Sequence, residues 1–240
     1  MKLPPVTSSS WTHIGFASFT WASMNAWSEF TELPQTDRDV LAEQAKSVRA
    51  FIESLLKEAR ETQDQEIFGR PEAQAKQNAW LKLVHRVANE ALTLVALRLG
   101  NGSKDSAPAR EFLPNLLATI SKVGVAERPG VAAQAAKRLA GLTGSFTEKA
   151  ALADKLAAAA KGAEAAVKAN ESAFAARDKE RGEEVVAKNR LRLELERAYK
   201  ALGAHFVGQD DFVESLFLKG ERASEGAEEE PAKEPEAKPA

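Results

Sequence analysis

Three histidines and no cysteine are all this chain offers in imidazole and thiol chemistry. Di-iron sites in helix bundles use Glu-x-x-His, because residues three apart share a helix face. Lys82 stands three positions before His85 and Leu202 three before His205, so neither makes the motif. No two histidines are close enough in sequence to form a local metal pair. His85 is therefore expected as a partly buried helix residue, and His205 as a cation near a helix C-terminus. His13 is a single histidine in an N-terminal arm, able to meet a phosphate or a neighbouring ring. The run "GNGSK" at 100–104 has glycines and a lysine, but neither the spacing nor the preceding strand of a phosphate loop. There is no Gly-x-Ser-x-Gly elbow. Neighbouring carboxylates such as Glu183 and Glu184 read as a solvated helix face. No catalytic constellation, cofactor site or metal site emerges, and no small-molecule substrate is evident. The expectation is a protein that is not an enzyme.

The other unusual chemistry is aromatic. "WTHIGFASFTWASMNAWSEF", residues 11–30, holds Trp11, Phe16, Phe19, Trp21, Trp27 and Phe30, with Glu29 its one charged residue. Each ring has roughly 150–250 Å² to bury, so leaving them all in water would be costly. Trp21, Met24 and Trp27 are spaced for one helical face, whereas Ile14, Phe16 and Ser18 alternate as in an extended chain, so the pattern fixes no secondary structure. The arm is expected to lie across the apolar end of a helix at Leu94 to Leu99. A surface for a protein partner or for self-assembly is the second reading, and adsorption to a membrane the third. Against the third stands the lack of the Lys and Arg that accompany rings at lipid interfaces. A second apolar cluster, Phe212, Leu216 and Phe217 in "DDFVESLF", is expected to dock back onto the helices. Used instead as a linear motif, its acidic flanks would suit a basic groove.

The elements that must carry these residues are helical. Thr36 with Asp39 reads as a helix N-cap and its acidic partner. Leu41, Ala45, Val48, Ile52, Leu55 and Ala59 then recur at steps of four and three, predicting an amphipathic helix over about 37–63. Pro71 suits the first turn of a second helix, whose end, "ALTLVALRLG", is apolar on most sides. With Gly69 at the link, the pair is expected as an antiparallel hairpin over 36–100. Prolines and glycines cut 101–144 into short helices, foremost 114–122 and 129–142. Helix-favouring residues then run without proline over 145–207. Gly182 interrupts them, but an isolated helical glycine costs only about 1 kcal/mol and the usual turn dipeptides are missing. The stretch reads as one helix, roughly 90 Å long at 1.5 Å per residue, in preference to a hairpin folded at Gly182. A short helix is expected over 210–218. The residues 219–240, rich in Ala, Glu, Lys and Pro, read as a disordered acidic tail.

The resulting expectation is all-α: an aromatic-rich arm over 1–35, an elongated antiparallel helical bundle over 36–218, and the tail. With 240 residues and 44% hydrophobic content the chain can build a proper core. The formal net charge of −2 argues against nucleic acid as a partner. No stretch has the compact apolar core of a signal peptide or the length of a membrane span. The absence of cysteine fits a reducing compartment, and the expected location is cytoplasmic. The function expected is that of a structural or adaptor protein acting through helix-mediated contacts or self-assembly, with a coiled-coil character in the long helix. The alternative is a peripheral membrane protein or membrane-perturbing protein using the aromatic arm.

Overall fold

A computed structural model describes residues 1–218, and no strand occurs among them. The expected tail over 219–240 lies outside the described residues. The elements are α1 (Ser10–Ser28), α2 (Gln35–Asp64), a π-helical turn (Gln65–Gly69), α3 (Arg70–Leu99), α4 (Ala107–Phe112), α5 (Ala118–Ser121), α6 (Arg128–Gly141), α7 (Lys149–His205) and α8 (Asp210–Ser215). The all-α class, the connector of short helices and the long C-terminal helix are as the sequence indicates.

The link at Gly69 and Pro71 differs from expectation. The backbone there stays helical, with Asp64, Gly69 and Arg70 all in the right-handed region. Pro71 cannot donate to the residue one turn before it. The wider π turn absorbs this, and the Arg70 N–H reaches back five residues to the Gln65 carbonyl. The antiparallel partner of α2 and of α3 is therefore α7, each over a different stretch. Asp37 meets His205 and Ser47 meets Glu194 along α2. Gln77 meets Asn170 and Glu90 meets Lys155 along α3.

The chain divides into two compact units, one formed by Met1–Thr62 with the residues from Glu180 onward, the other by Gln63–Lys179. In the first, α1, α2, α8 and the end of α7 share a core. The α2 stripe Leu41, Ala45, Val48 and Leu55 packs with Leu191, Leu195, Ala198 and Leu202 at every third or fourth position of α7. Phe16, Ala17 and Met24 of α1 close one side, and Val213, Leu216 and Phe217 another.

In the second unit Val84, Val87, Ala91 and Val95 of α3 face Leu152, Leu156, Ala160 and Ala163 of α7. The short elements α4 to α6 cover them with Phe112, Leu113, Ile120, Ala132 and Leu139. The small residues of α7 bring the helices close. A Cβ built on Gly162 would come within 2.4 Å of the Trp80 ring, which fills the space beside it.

Two of the glycines inside α7, Gly162 and Gly182, should therefore respond oppositely to alanine. At Gly182 a Cβ would meet nothing within 4 Å, so Gly182→Ala removes only a helix-propensity penalty and should stabilise by about 1 kcal/mol. At Gly162 the same change displaces the Trp80 ring. Overpacking of this kind costs about 1–3 kcal/mol, enough to outweigh the propensity gain. Denaturant titration of both variants checks this, and a stabilised Gly162→Ala would show that the ring moves aside freely.

Candidate functional site

The aromatic stretch forms a regular helix, α1. Ser9, extended at φ −60° and ψ 157°, caps it, its side chain accepting the Thr12 N–H. Ser10, His13, Phe16, Ala17, Thr20 and Met24 are buried. This inner face lies on the core of the first unit with α2 and the end of α7. Leu94, Val95 and Leu99, where the arm was expected to lie, belong to the core of the second unit, which α4 to α6 cover.

Polar contacts pin α1 and the residues before it to α7. Ser10 Oγ donates to Glu184, so this carboxylate is not simply solvated. Lys188 Nζ donates to the Ser8 carbonyl at 3.2 Å, and Arg192 donates to the Pro4 carbonyl. His13, fully buried, sits among them. Its Nδ1 lies 2.9 Å from the Ser9 carbonyl and its Nε2 3.0 Å from Arg192 Nη1. A carbonyl can only accept and a guanidinium can only donate, so the proton is assigned to Nδ1 and the ring is neutral. Burial pushes its pKa below 6.5, the Ser9 bond opposes this, and the charges of Arg192 and Lys188 push the same way as burial. His13 is thus a structural group of the inner face.

The outer face is different. Trp11, Gly15, Phe19, Ala22 and Ala26 recur at steps of four, four, three and four, so they form one strip along the helix. All five are exposed, Trp11 at 48% and Phe19 at 42%. Between Ser10 and Ser28 there is no Asp, Glu, Lys or Arg. A helix on a folded protein normally turns charged or polar residues outward. Here both faces are apolar, which is also why the sequence carried no helical period for this stretch.

The other candidate residues separate by place. Phe16, Leu216 and Phe217 are buried core, and Phe217 meets Tyr199 edge to face at 5.4 Å. Trp21 is half-buried under the Arg49 guanidinium at 5.1 Å. Trp27 sits edge-on to both Phe30 and Phe212 at 5.1 Å, and Phe212 to Phe206 at 5.0 Å. These rings tie the end of α1 to α8, so "DDFVESLF" docks back as expected, with Trp27 and Phe30 left partly exposed. Only Trp11 and Phe19 stand on the outer strip.

His205 bonds Asp37 Oδ1 at 2.8 Å. His85 is exposed, a correction of its expected partial burial: Val84, Val87 and Ala88 turn inward on α3 and put His85 outside. Carboxylates of Glu58, Glu180 and Glu183 lie within 4.8 Å of one another, half-buried to exposed, with Lys57 Nζ 3.7 Å from Glu58. A groove of about 460 Å³ runs beside Trp80, floored by Gly162, Ala165, Ala166 and Ala169, and its charged groups Glu72 and Lys76 pair with each other. A second, of about 590 Å³, lies between Arg110 and Lys122, where Arg110 is paired with Asp105 at 3.0 Å. Neither groove brings together a nucleophile, a base and its orienting partner. Comparison with protein-family models, with curated proteins and with solved structures gives no match.

Proposed function

We propose that this chain is a non-enzymatic structural or adaptor protein whose association surface is the outer face of α1. The observation that carries the reading is the uncharged strip Trp11, Gly15, Phe19, Ala22 and Ala26, left exposed by a helix that is otherwise firmly seated. Contiguous apolar surface of this kind is uncommon on folded monomers and marks contact sites. Aromatic residues are enriched at the centres of protein interfaces. The lack of cysteine accords with a reducing compartment such as the cytoplasm.

Adsorption to a membrane is the competing use of the same rings. No helix among the described residues is long and apolar enough to cross a membrane. The strip has no cation to meet anionic headgroups, so its chemistry favours protein over lipid.

Benzoylphenylalanine placed at Phe19 keeps an aromatic ring in the strip and cross-links whatever lies against it on illumination. In cells making this variant, a discrete protein adduct is the expected result. The same group at exposed His85 should give none. An absence of any adduct at position 19, with the purified chain floating on anionic vesicles through residues 1–33, would overturn the reading in favour of the membrane.

A further inference from the structure

We infer that the end of the first unit where α1 meets α8 is a docking surface for a basic protein segment, one that sets an apolar side chain between lysines or arginines. This surface goes beyond the reading of the α1 strip and does not depend on it. Four rings stand there in a row, Phe30, Trp27, Phe212 and Phe206, neighbours meeting edge to face at 5.1, 5.1 and 5.0 Å. Phe206 is buried and anchors the row. Toward Phe30 the row comes out into solvent, with Trp27 37% exposed and Phe30 47%. Val207, in the turn from α7 into α8, is 80% exposed. Rings already held against one another lose little side-chain freedom when a partner covers them, which suits a binding surface.

The charge around these rings is of one sign. Residues 25–39 and 203–217 meet here through Trp27 on Phe212 and Asp37 on His205. Together they hold seven Asp and Glu, one Arg and no Lys. The other described residues hold 28 Lys and Arg against 21 Asp and Glu, so the imbalance is local. Asp37 is taken by His205, and Glu214 lies 3.8 Å from the chain's amino group. Glu29, Glu32, Asp210 and Asp211 are exposed and pair with no cation among the described residues. The arginine, Arg38, is half-buried and donates to Gln35. Asp210 and Asp211 have a local use in the first turn of α8, where the helix dipole favours them. Glu29 has none of that kind. It stands at the C-cap of α1, against the dipole, and its bond is to the Asn25 amide at 2.9 Å. A carboxylate kept where its own helix disfavours it, beside two exposed rings, suits a partner's cation better than it suits the fold.

Charge complementarity chooses among the occupants. Anionic lipid headgroups and nucleic-acid phosphates are repelled by such a rim. A second copy meeting this end across a two-fold axis would set carboxylates against carboxylates. Residues 219–240 hold seven acidic side chains against four basic ones, so the chain's own continuation is no better matched. A basic segment gains on each count. Its cations reach the rim carboxylates, their aliphatic stems lie on the rings, and an arginine against Trp27 adds cation–π attraction.

The probe is a fluorescently labelled helical peptide of Leu and Lys, beside a twin carrying Glu in place of Lys, titrated with the full chain and read by anisotropy. The Lys peptide should bind, the twin should not, and binding should weaken as salt rises. Glu29→Gln with Glu32→Gln should weaken it roughly fivefold to tenfold, and Phe30→Ser several-fold. All three side chains are exposed, so folding is not at stake. Glu111→Gln with Asp154→Asn, exposed carboxylates of the other unit, should change binding by less than about twofold. No binding of the Lys peptide, or equal weakening by the two double variants, would overturn the inference, the second because the peptide would then answer net charge alone. Flotation on anionic vesicles that Phe30→Ser abolishes would overturn it in favour of lipid. A mass above 25.9 kDa by light scattering that Glu29→Gln with Glu32→Gln returns to that value would overturn it in favour of a second copy. The photo-adduct at Phe19 tests the α1 strip separately, so either surface can fail without the other.

Discussion

Phe112→Ala is expected to lower the stability of the Gln63–Lys179 unit by about 3–5 kcal/mol, the range for removing a buried aromatic ring. Phe112 is one of the largest fully buried side chains and ends α4, a helix of six residues. A helix so short has no stability of its own in water. Its Ser106 cap position makes no side-chain bond to the helix. Insertion of Ala109, Phe112 and the following Leu113 into the core against α3 and α6 holds it. Losing the ring leaves a cavity whose walls are helices that cannot readily collapse. The measurement is the denaturant midpoint of the variant beside Phe112→Leu, which should lose much less. A loss below about 1 kcal/mol for alanine would mean that α4 is not anchored by its ring.

The second large effect is of pH, and it acts through His13. Its folded pKa is held below 6.5, first by burial and further by Arg192 and Lys188. Below about pH 6.5 the unfolded chain takes up a proton at this residue that the folded chain resists. Stability from His13 is thus complete above that value and is lost as pH falls, at up to about 1.4 kcal/mol per pH unit. The loss ends once the folded ring itself takes the proton. That proton must go to Nε2, 3.0 Å from the Arg192 guanidinium, so two cations would face each other under α1. Residues 1–9, held through the Pro4 and Ser8 carbonyls to the same stretch of α7, should loosen with it. Denaturant midpoints from pH 7.5 to 5.0 should fall for the natural chain. They should fall clearly less for His13→Gln, whose side-chain oxygen can accept from Arg192 without titrating. Equal slopes in the two proteins would show that His13 is not the group responsible.

The sequence by itself determined those elements whose residues carry a one-sided pattern. The α2 stripe Leu41, Ala45, Val48, Ile52, Leu55 and Ala59 is buried throughout, because a single apolar face can be satisfied in only one orientation. Helix α7 is continuous through Gly182, since one glycine costs too little to break a helix without a turn signal beside it. The 129–142 prediction corresponds to α6, whose Pro129 lies in its first turn. By contrast 114–122 is helical only over Ala118–Ser121, and α4 was not foreseen, although Pro108 in its first turn was the available signal.

Tertiary structure alone decided three matters. Gly69 and Pro71 look like a turn, but the backbone before them is a local π turn, and each helix finds its apolar partner on α7. His13 reads as an arm residue until Arg192 and Lys188, nearly 180 positions away in sequence, close around it beside the neighbouring Ser9. The aromatic stretch shows no period because both of its faces are apolar. Which face of α1 is core and which is left for a partner depends on where Leu41, Val48, Leu191 and Leu195 stand in space, and residue spacing within α1 does not encode the position of another helix.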